Sequence, residues 1–257
     1  MNLKKIKKNA SYFAGWVAIN VCTFFVRILP QSWLYRFAGS LASLGYRFAA
    51  KQRTIALESL RIAFGKDITD ARIATIAKDC FQYMSKSAIE LMFLMDKPSL
   101  LKQQVRFAQK ENLDAAFSKG NGVILVSAHF GNFPLLLARL SQEGYAASGI
   151  MRPMRDERVE KLFQKKRDRF GVQTIYSVPR SVCVDSTIRA LRSNGIVFIP
   201  IDQNFGTAGV FVDFFGKKAA TATGPVIFAQ RTKAAIIPCF IVRQKDDSHV
   251  IYFEPEV

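Results

Sequence analysis

The residues best placed to do chemistry stand at the end of one apolar run. Val123 to Pro134 reads VILVSAHFGNFP, so β-branched side chains lead to His129 and the chain then turns through Gly131-Asn132 into the helical pattern LLLARLSQEG. A strand of this kind delivers an imidazole to its C-terminal tip, where crevices open in α/β sheets. An imidazole there can serve as a general base, or it can cap the strand by bonding the backbone of the turn. The chain contains two histidines, which leaves few competitors for the role. Two further strand ends offer partners: Arg152-Pro153 follows one apolar run and Asp202-Gln203 follows another. Arginine before a proline can clamp a phosphate or carboxylate through paired bonds. Asp202 and Gln203 would bring an acid and an amide beside the imidazole, although aspartate in this position also suits a turn or a helix cap.

The elements that must position these groups follow from periodicity. Gln31 to about Ala63 repeats apolar residues at helical steps through Leu34, Phe37, Leu41, Leu44 and Phe48. Thr69 and Asp70 can cap the next helix, whose stripe of Ile73, Ile76, Cys80, Met84, Ala88 and Leu91 is expected to face a core. Met92 to Met95 overflow that stripe and suit either core packing or the path of an acyl chain. From Val105 onward strands and helices alternate. Strands are expected at Val105–Phe107, before His129, at Ala146–Met151, at Ile196–Asp202, and in the closing runs AIIPCFIV and VIYFEPEV. Helices are expected up to Lys119-Gly120, up to about Glu143, over Asp156–Phe170, over about 181–193, and from Thr223-Gly224-Pro225 after a loop that reaches Gly216. This alternation predicts an α/β fold, a central mostly parallel sheet flanked by helices, preceded by an N-terminal hydrophobic helix and a helical region. The expected organisation is an anchoring helix over 1–30 and one α/β domain over 31–257, with a helical front part (31–100) and an α/β core (101–257).

Composition narrows the partners. A hydrophobic content of 49% with 12% aromatics excludes disorder, and 257 residues can bury one substantial core. The net charge is +17, and no acidic residue precedes Glu58, which favours an anionic partner. Arg155 and the basic helix over 156–170, with Arg158, Lys161 and further cations, read mainly as a solvated face, and no nucleic-acid recognition module accompanies them. Cys22, Cys80, Cys183 and Cys239 are scattered without metal-ligand or CxxC spacing, so they are expected to be reduced, with no metal site. Neither a P-loop nor a dinucleotide signature is present.

The N-terminus points to lipid. Lys4, Lys5, Lys7 and Lys8 precede an uncharged run, Asn9 to Val26, that Arg27 closes. Spanning a bilayer takes about 20 apolar residues. The run can therefore cross at the margin, lie in the interface with Tyr12, Trp16 and its phenylalanines inserted, or be a buried core helix.

The segments Gly122–Asn132 (GVILVSAHFGN), Ile150–Pro153 (IMRP) and 199–225 (IPIDQNFGTAGVFVDFFGKKAATATGP), together with the N-terminal hydrophobic helix, resemble the bacterial late acyltransferases of lipid A biosynthesis. These are the lauroyl and myristoyl transferases within the lysophospholipid acyltransferase superfamily. The resemblance covers nearly the whole chain, and the stretch from Asp202 through Phe214-Phe215-Gly216 to Thr223-Gly224 is its most specific part. It implies transfer of a fatty acyl group from acyl carrier protein, or a CoA thioester, to a hydroxyl of a lipid A precursor or related glycolipid, without a bound cofactor. It also implies a bacterial inner-membrane enzyme with its catalytic domain on the cytoplasmic side. His129 would be the base, Asp202 its partner, Arg152 the holder of an acceptor phosphate, and Gly131, Asn132 and Gln203 would shape the substrate site. A short basic, tryptophan-containing tail beyond Val257 is expected by the same likeness.

One position departs from the superfamily pattern, which sets Asp or Glu five residues after the histidine. Here Pro134 stands there, well suited to a first helical turn but without an acid. Asp202 is the first candidate to replace that carboxylate and Asp213 the second, while Asn132 could hold a neutral tautomer. The alternatives are an acyltransferase acting on a lysophospholipid or other lipid, and a lipid-binding relative without catalysis.

Overall fold

The apolar runs become the centre of a sheet. Among the described residues the strands are β1 (Val105–Ala108), β2 (Val123–Ser127), β3 (Ala147–Met151), β4 (Gln173–Tyr176), β5 (Ile196–Pro200), β6 (Val210–Phe214), β7 (Lys217–Thr221), β8 (Ala235–Arg243) and β9 (His249–Phe253). The helices are α1 (Leu3–Ile28), α2 (Gln31–Phe48), α3 (Ala50–Phe64), α4 (Asp70–Leu94), α5 (Pro98–Gln104), α6 (Lys110–Phe117), α7 (Phe133–Gln142), α8 (Glu157–Arg169), α9 (Arg180–Arg192) and α10 (Gly224–Thr232). The structure, a computed structural model, describes residues 3–206 and 209–257, with residues 3–8 in backbone only. Thr207 and Ala208, inside the segment that carries the resemblance, lie outside them.

Seven strands pair in the order β1-β9-β8-β2-β5-β3-β4. β8, β2, β5, β3 and β4 run parallel, while β9 is antiparallel to β8 and parallel to β1. This is the α/β class expected from the alternation. β2 and β5 lie mid-sheet and are buried on both faces, which is why they read as unbroken apolar runs rather than alternating ones. On one face Ile124, Val197 and Ile199 pack with Ile175 of β4, Cys183 and Leu191 of α9, and Phe228 of α10. The pleat turns Phe198 to the other face, where its ring stacks on Phe133 of α7 with centroids 5.5 Å apart. Each such fully buried apolar side chain stabilises the fold by about 1.5–3 kcal/mol. The strand tips beyond β2 and β5 therefore project from a rigid base.

The chain forms two compact units. One comprises 1–16, 94–212 and 218–257 and contains the sheet; the other comprises 17–93 and 213–217 and is mainly helical.

Several local expectations need correction. The helical stretch from Gln31 breaks at Ala49, where Arg53 donates to the carbonyl of Tyr46 at 2.8 Å and so satisfies the end of α2. No glycine or proline marks that break in the sequence. Within α2 the buried positions are Leu34, Ala38 and Ala42, whereas Leu44 and Phe48 are exposed. Thr69 does cap α4, accepting from the Arg72 N–H at 3.2 Å. The expected α4 stripe holds at its ends but not in its middle: Ile73 is buried and Ile76 and Leu91 are half-buried, but Cys80, Met84 and Ala88 face outward. Burial returns at Ile89 and continues through Met92–Met95, as core packing requires. β4 and α5 are additional elements. The expected loop before Gly216 contains β6, joined to β7 through Phe215-Gly216, both at positive φ (49° and 68°). Two positive-φ residues make a type I′ hairpin turn, hidden in the sequence because phenylalanine fills a position that normally takes Asn or Gly.

Candidate active site

The site is built from the register of β2 on β5. Their parallel pairing matches Val123 with Ile196 and Ser127 with Pro200, a constant offset of 73 residues. The Ile201 N–H donates to the Ser127 carbonyl at 2.9 Å and carries the pairing past both strand ends. Ala128 and Ile201 come next on that offset, and His129 and Asp202 are the pair after them. Strand register therefore sets an imidazole and a carboxylate side by side, although neither belongs to the other's local motif.

Two bonds fasten the pair. Oδ1 of Asp202 lies 2.8 Å from His129 Nδ1, and Oδ2 accepts the His129 backbone N–H at 2.9 Å. Burial pushes the Asp202 carboxyl up, but hydrogen bonds from the ring and backbone of His129 outweigh it and leave the carboxyl below its ordinary value. An ionised carboxylate only accepts, so Nδ1 donates to it, and in the neutral ring the lone pair then falls on Nε2. Both side chains are 37% exposed, so the pair stands at the surface rather than in the core. The Gln203 amide Nε2 stands 3.3 Å from His129 Nε2.

Aromatic packing fixes the ring's other edge. Phe133 meets the imidazole edge-on with centroids 5.4 Å apart and itself rests on Phe198. On the far side of the turn Phe130 lies edge-on to Phe240 of β8, and Ala128, Phe130, Phe240, Val242, Tyr252 and Glu254 line an open, mostly apolar cleft of about 420 Å³ beside the strand tip. The aromatic contributions escaped the sequence reading. Their only trace is the repeated phenylalanine in HFGNF.

The remaining predicted residues have distinct placements. Gly131 adopts φ +62°, and a Cβ there would come within 1.9 Å of the Ile241 carbonyl oxygen, so the turn needs a residue without a side chain. Asn132 is 2% exposed, heads α7 without a side-chain cap bond, and lies beneath the turn rather than on its surface. Pro134 occupies the first turn of α7. Arg152 follows β3 at the same end of the sheet, on the opposite side of β5 from β2; it is exposed and makes no hydrogen bond or ion pair with the His129–Asp202 pair. Asp213, the second candidate acid, is an exposed residue of β6. Among the described residues no group of three or more His, Cys, Asp or Glu side chains could hold a metal ion.

Such an arrangement, a partly exposed imidazole oriented by a carboxylate, can take a proton from a hydroxyl as that oxygen attacks a carbonyl. Comparison with known proteins agrees with this chemistry. A lipid A biosynthesis acyltransferase of Haemophilus influenzae is 27% identical over 241 residues, covering 89% of this chain and 71% of the relative. A phosphatidylinositol mannoside acyltransferase of Mycobacterium tuberculosis is 27% identical over 129 residues, or 50% of this chain and 41% of that protein. The model of the bacterial lipid A biosynthesis acyltransferase family matches residues 3–257, so the chain belongs to that family and is an acyltransferase.

Proposed function

We propose that the protein moves a fatty acyl group from the thioester of acyl carrier protein to a hydroxyl of a membrane glycolipid, with His129 as general base and Asp202 as its orienting acid. The observation that carries this reading is the 2.8 Å contact between Asp202 and His129 Nδ1, which in a neutral imidazole directs the lone pair to Nε2 on a partly exposed side chain. Nε2 takes the proton of the acceptor hydroxyl while its oxygen forms a bond to the thioester carbonyl carbon. The carbonyl electrons move onto oxygen, then return as the carbon–sulfur bond breaks. The departing thiolate receives the proton from the imidazolium, giving a free thiol and a new ester. No acyl-enzyme forms in this scheme.

The Gln203 amide, 3.3 Å from Nε2, is near enough to the reacting carbon to donate to the developing oxyanion. Arg152, exposed at the neighbouring strand end, suits an acceptor phosphate. A net charge of +17 suits an acidic carrier protein and an anionic leaflet. Relatives named for lipid A and for phosphatidylinositol mannoside support a glycolipid acceptor. The protein would act at the cytoplasmic face of the inner membrane, held there in part by α1.

The test is transfer from carrier-protein and CoA thioesters to a panel of a lipid A precursor, a mannosylated phosphoinositide and lysophospholipids, read by mass spectrometry. The expected result is a gain of one acyl chain on a glycolipid, preferring the carrier-protein donor and lost in His129→Ala. Undiminished transfer by His129→Ala refutes the assigned base, and transfer confined to lysophospholipids refutes the acceptor class.

A further inference from the structure

We propose that α1 lies along the membrane surface rather than across the bilayer, pressing a stripe of Phe13, Val17, Val21, Phe24 and Ile28 into an anionic lipid interface. The inference deepens the membrane-bound reading above and rests on it. Residues Asn9–Ile28 are long and apolar enough to span, so composition leaves both orientations open. The packing separates them.

The two faces of α1 differ. Five exposed apolar residues recur at steps of four, four, three and four, which places them on one side of a helix, and Phe25, 38% exposed, stands at the edge of that side. The alternate positions Tyr12, Trp16, Ile19, Thr23 and Val26 are half-buried or buried. In the sheet-containing unit, the Arg158 guanidinium stands 5.4 Å from the ring centroids of both Phe13 and Trp16 while paired with Asp156 at 2.6 Å. In the helical unit, the Thr23 hydroxyl donates to Met92 Sδ at 3.8 Å, and Phe25 packs on Phe37 at 5.6 Å between centroids.

These neighbours do not belong in hydrocarbon. Arg158 sits on α8, whose sequence ERVEKLFQKKRDR is mostly charged. α4, which carries Met92, also buries Glu90 against the Tyr35 hydroxyl at 2.8 Å. A spanning α1 would drag these charges into the membrane core at high cost. If the helix is held in water as far as Trp16, the run from Val17 to Ile28 offers about 18 Å at 1.5 Å per residue, short of a core about 30 Å thick. A helix covered by protein on one face and apolar on the other satisfies both faces by lying flat. Lysines at positions 4, 5, 7 and 8 and Arg27 flank the apolar run with charge complementary to anionic lipid.

The test binds the whole chain to vesicles of phosphatidylglycerol and phosphatidylethanolamine containing lipids brominated at graded depths. Single reporters Phe13→Trp, Val21→Trp and Ile28→Trp are placed in a Trp16→Phe, Trp33→Phe background, with far-UV dichroism to check the fold. A flat helix gives equal, shallow depths at all three. A spanning helix over Asn9–Ile28, centred near residues 18–19, sets Val21→Trp deeper than Phe13→Trp by about 4 Å and deeper than Ile28→Trp by about 10 Å. That result, or no vesicle binding, overturns the proposal. Native membranes washed in alkaline carbonate check it without substitutions: release supports the flat helix and retention overturns it. Acyl transfer on the same vesicles separates the two readings. A spanning profile with full activity sinks only the orientation of α1, and a flat profile without transfer sinks only the chemistry.

Discussion

Asp202→Asn is the most informative perturbation, because it changes one charge and one acceptor in nearly the same volume. Both carboxylate oxygens are in use: Oδ1 faces the ring Nδ1 and Oδ2 accepts the backbone N–H of His129. Asparagine supplies only one acceptor. If its oxygen keeps the backbone bond, its NH₂ faces Nδ1, which must then give up its proton and pass it to Nε2, the nitrogen proposed as base. The charge effect alone can be bounded. Unit charges about 4 Å apart interact by about 4 kcal/mol at an effective dielectric of 20 and about 1 kcal/mol in water. With both side chains 37% exposed, screening pulls the value to the middle of that range, about 2–3 kcal/mol. Loss of transition-state stabilisation on this scale lowers kcat/KM by about 30- to 150-fold. The wrong tautomer adds to it, toward the roughly 10⁴-fold seen when a protease triad loses its acid in this way. The assay is the initial rate of acyl transfer from a carrier-protein thioester, with Asp202→Glu as the charge-preserving control. We expect a fall of at least 30-fold for Asp202→Asn, mostly in kcat, and partial recovery in Asp202→Glu. Activity within threefold of the parent, alongside an inactive His129→Ala, would refute the pairing.

The same carboxyl makes a pH prediction. Its folded-state pKa is lowered, so its contribution to stability is present above the unfolded value and is lost as pH falls through the folded one. The Tm gap between parent and Asp202→Asn should be widest near neutrality and close below about pH 4; a gap that widens in acid contradicts the linkage. Gly131→Ala should lower Tm steeply, since positive φ costs about 1–2 kcal/mol for a residue with a Cβ, and the clash with the Ile241 carbonyl comes on top. An unchanged Tm would mean the turn is not packed as described. Gln203→Ala should reduce kcat by about 10²-fold with little change in KM if its amide serves the oxyanion; a pure KM effect would assign it to binding instead. Burial pushes the Cys239 thiol up to about 12, so maleimide at pH 7.5 should label exposed Cys80 quickly and reach Cys239 only after unfolding.

Much of this protein was readable from residue order alone. His129 at the end of a β-branched run, Asp202 at the end of another, and the Gly131 and Pro134 that turn the first into α7 are local facts. Local sterics and burial preferences decide them, so the α/β class and the strand-tip position of the histidine followed. Where local signals were absent, tertiary context decided. Ala49 ends a helix because Arg53 reaches back to its carbonyls, and Phe215 takes a turn position that its own preferences oppose. The α4 stripe turned outward at Cys80 because amphipathic spacing gives a face but not the extent of the element packed against it.

The site divides along the same line. Pro134 removes the acid from the place where a local motif would hold it, and nothing within that motif shows what replaces it. Asp202 reaches His129 because β5 lies beside β2 in parallel at one fixed offset. That adjacency is a property of strand order, which sequence-distant burial and the closing of the sheet select. Local sequence thus determined which groups stand at strand tips, and the tertiary structure determined which of them touch.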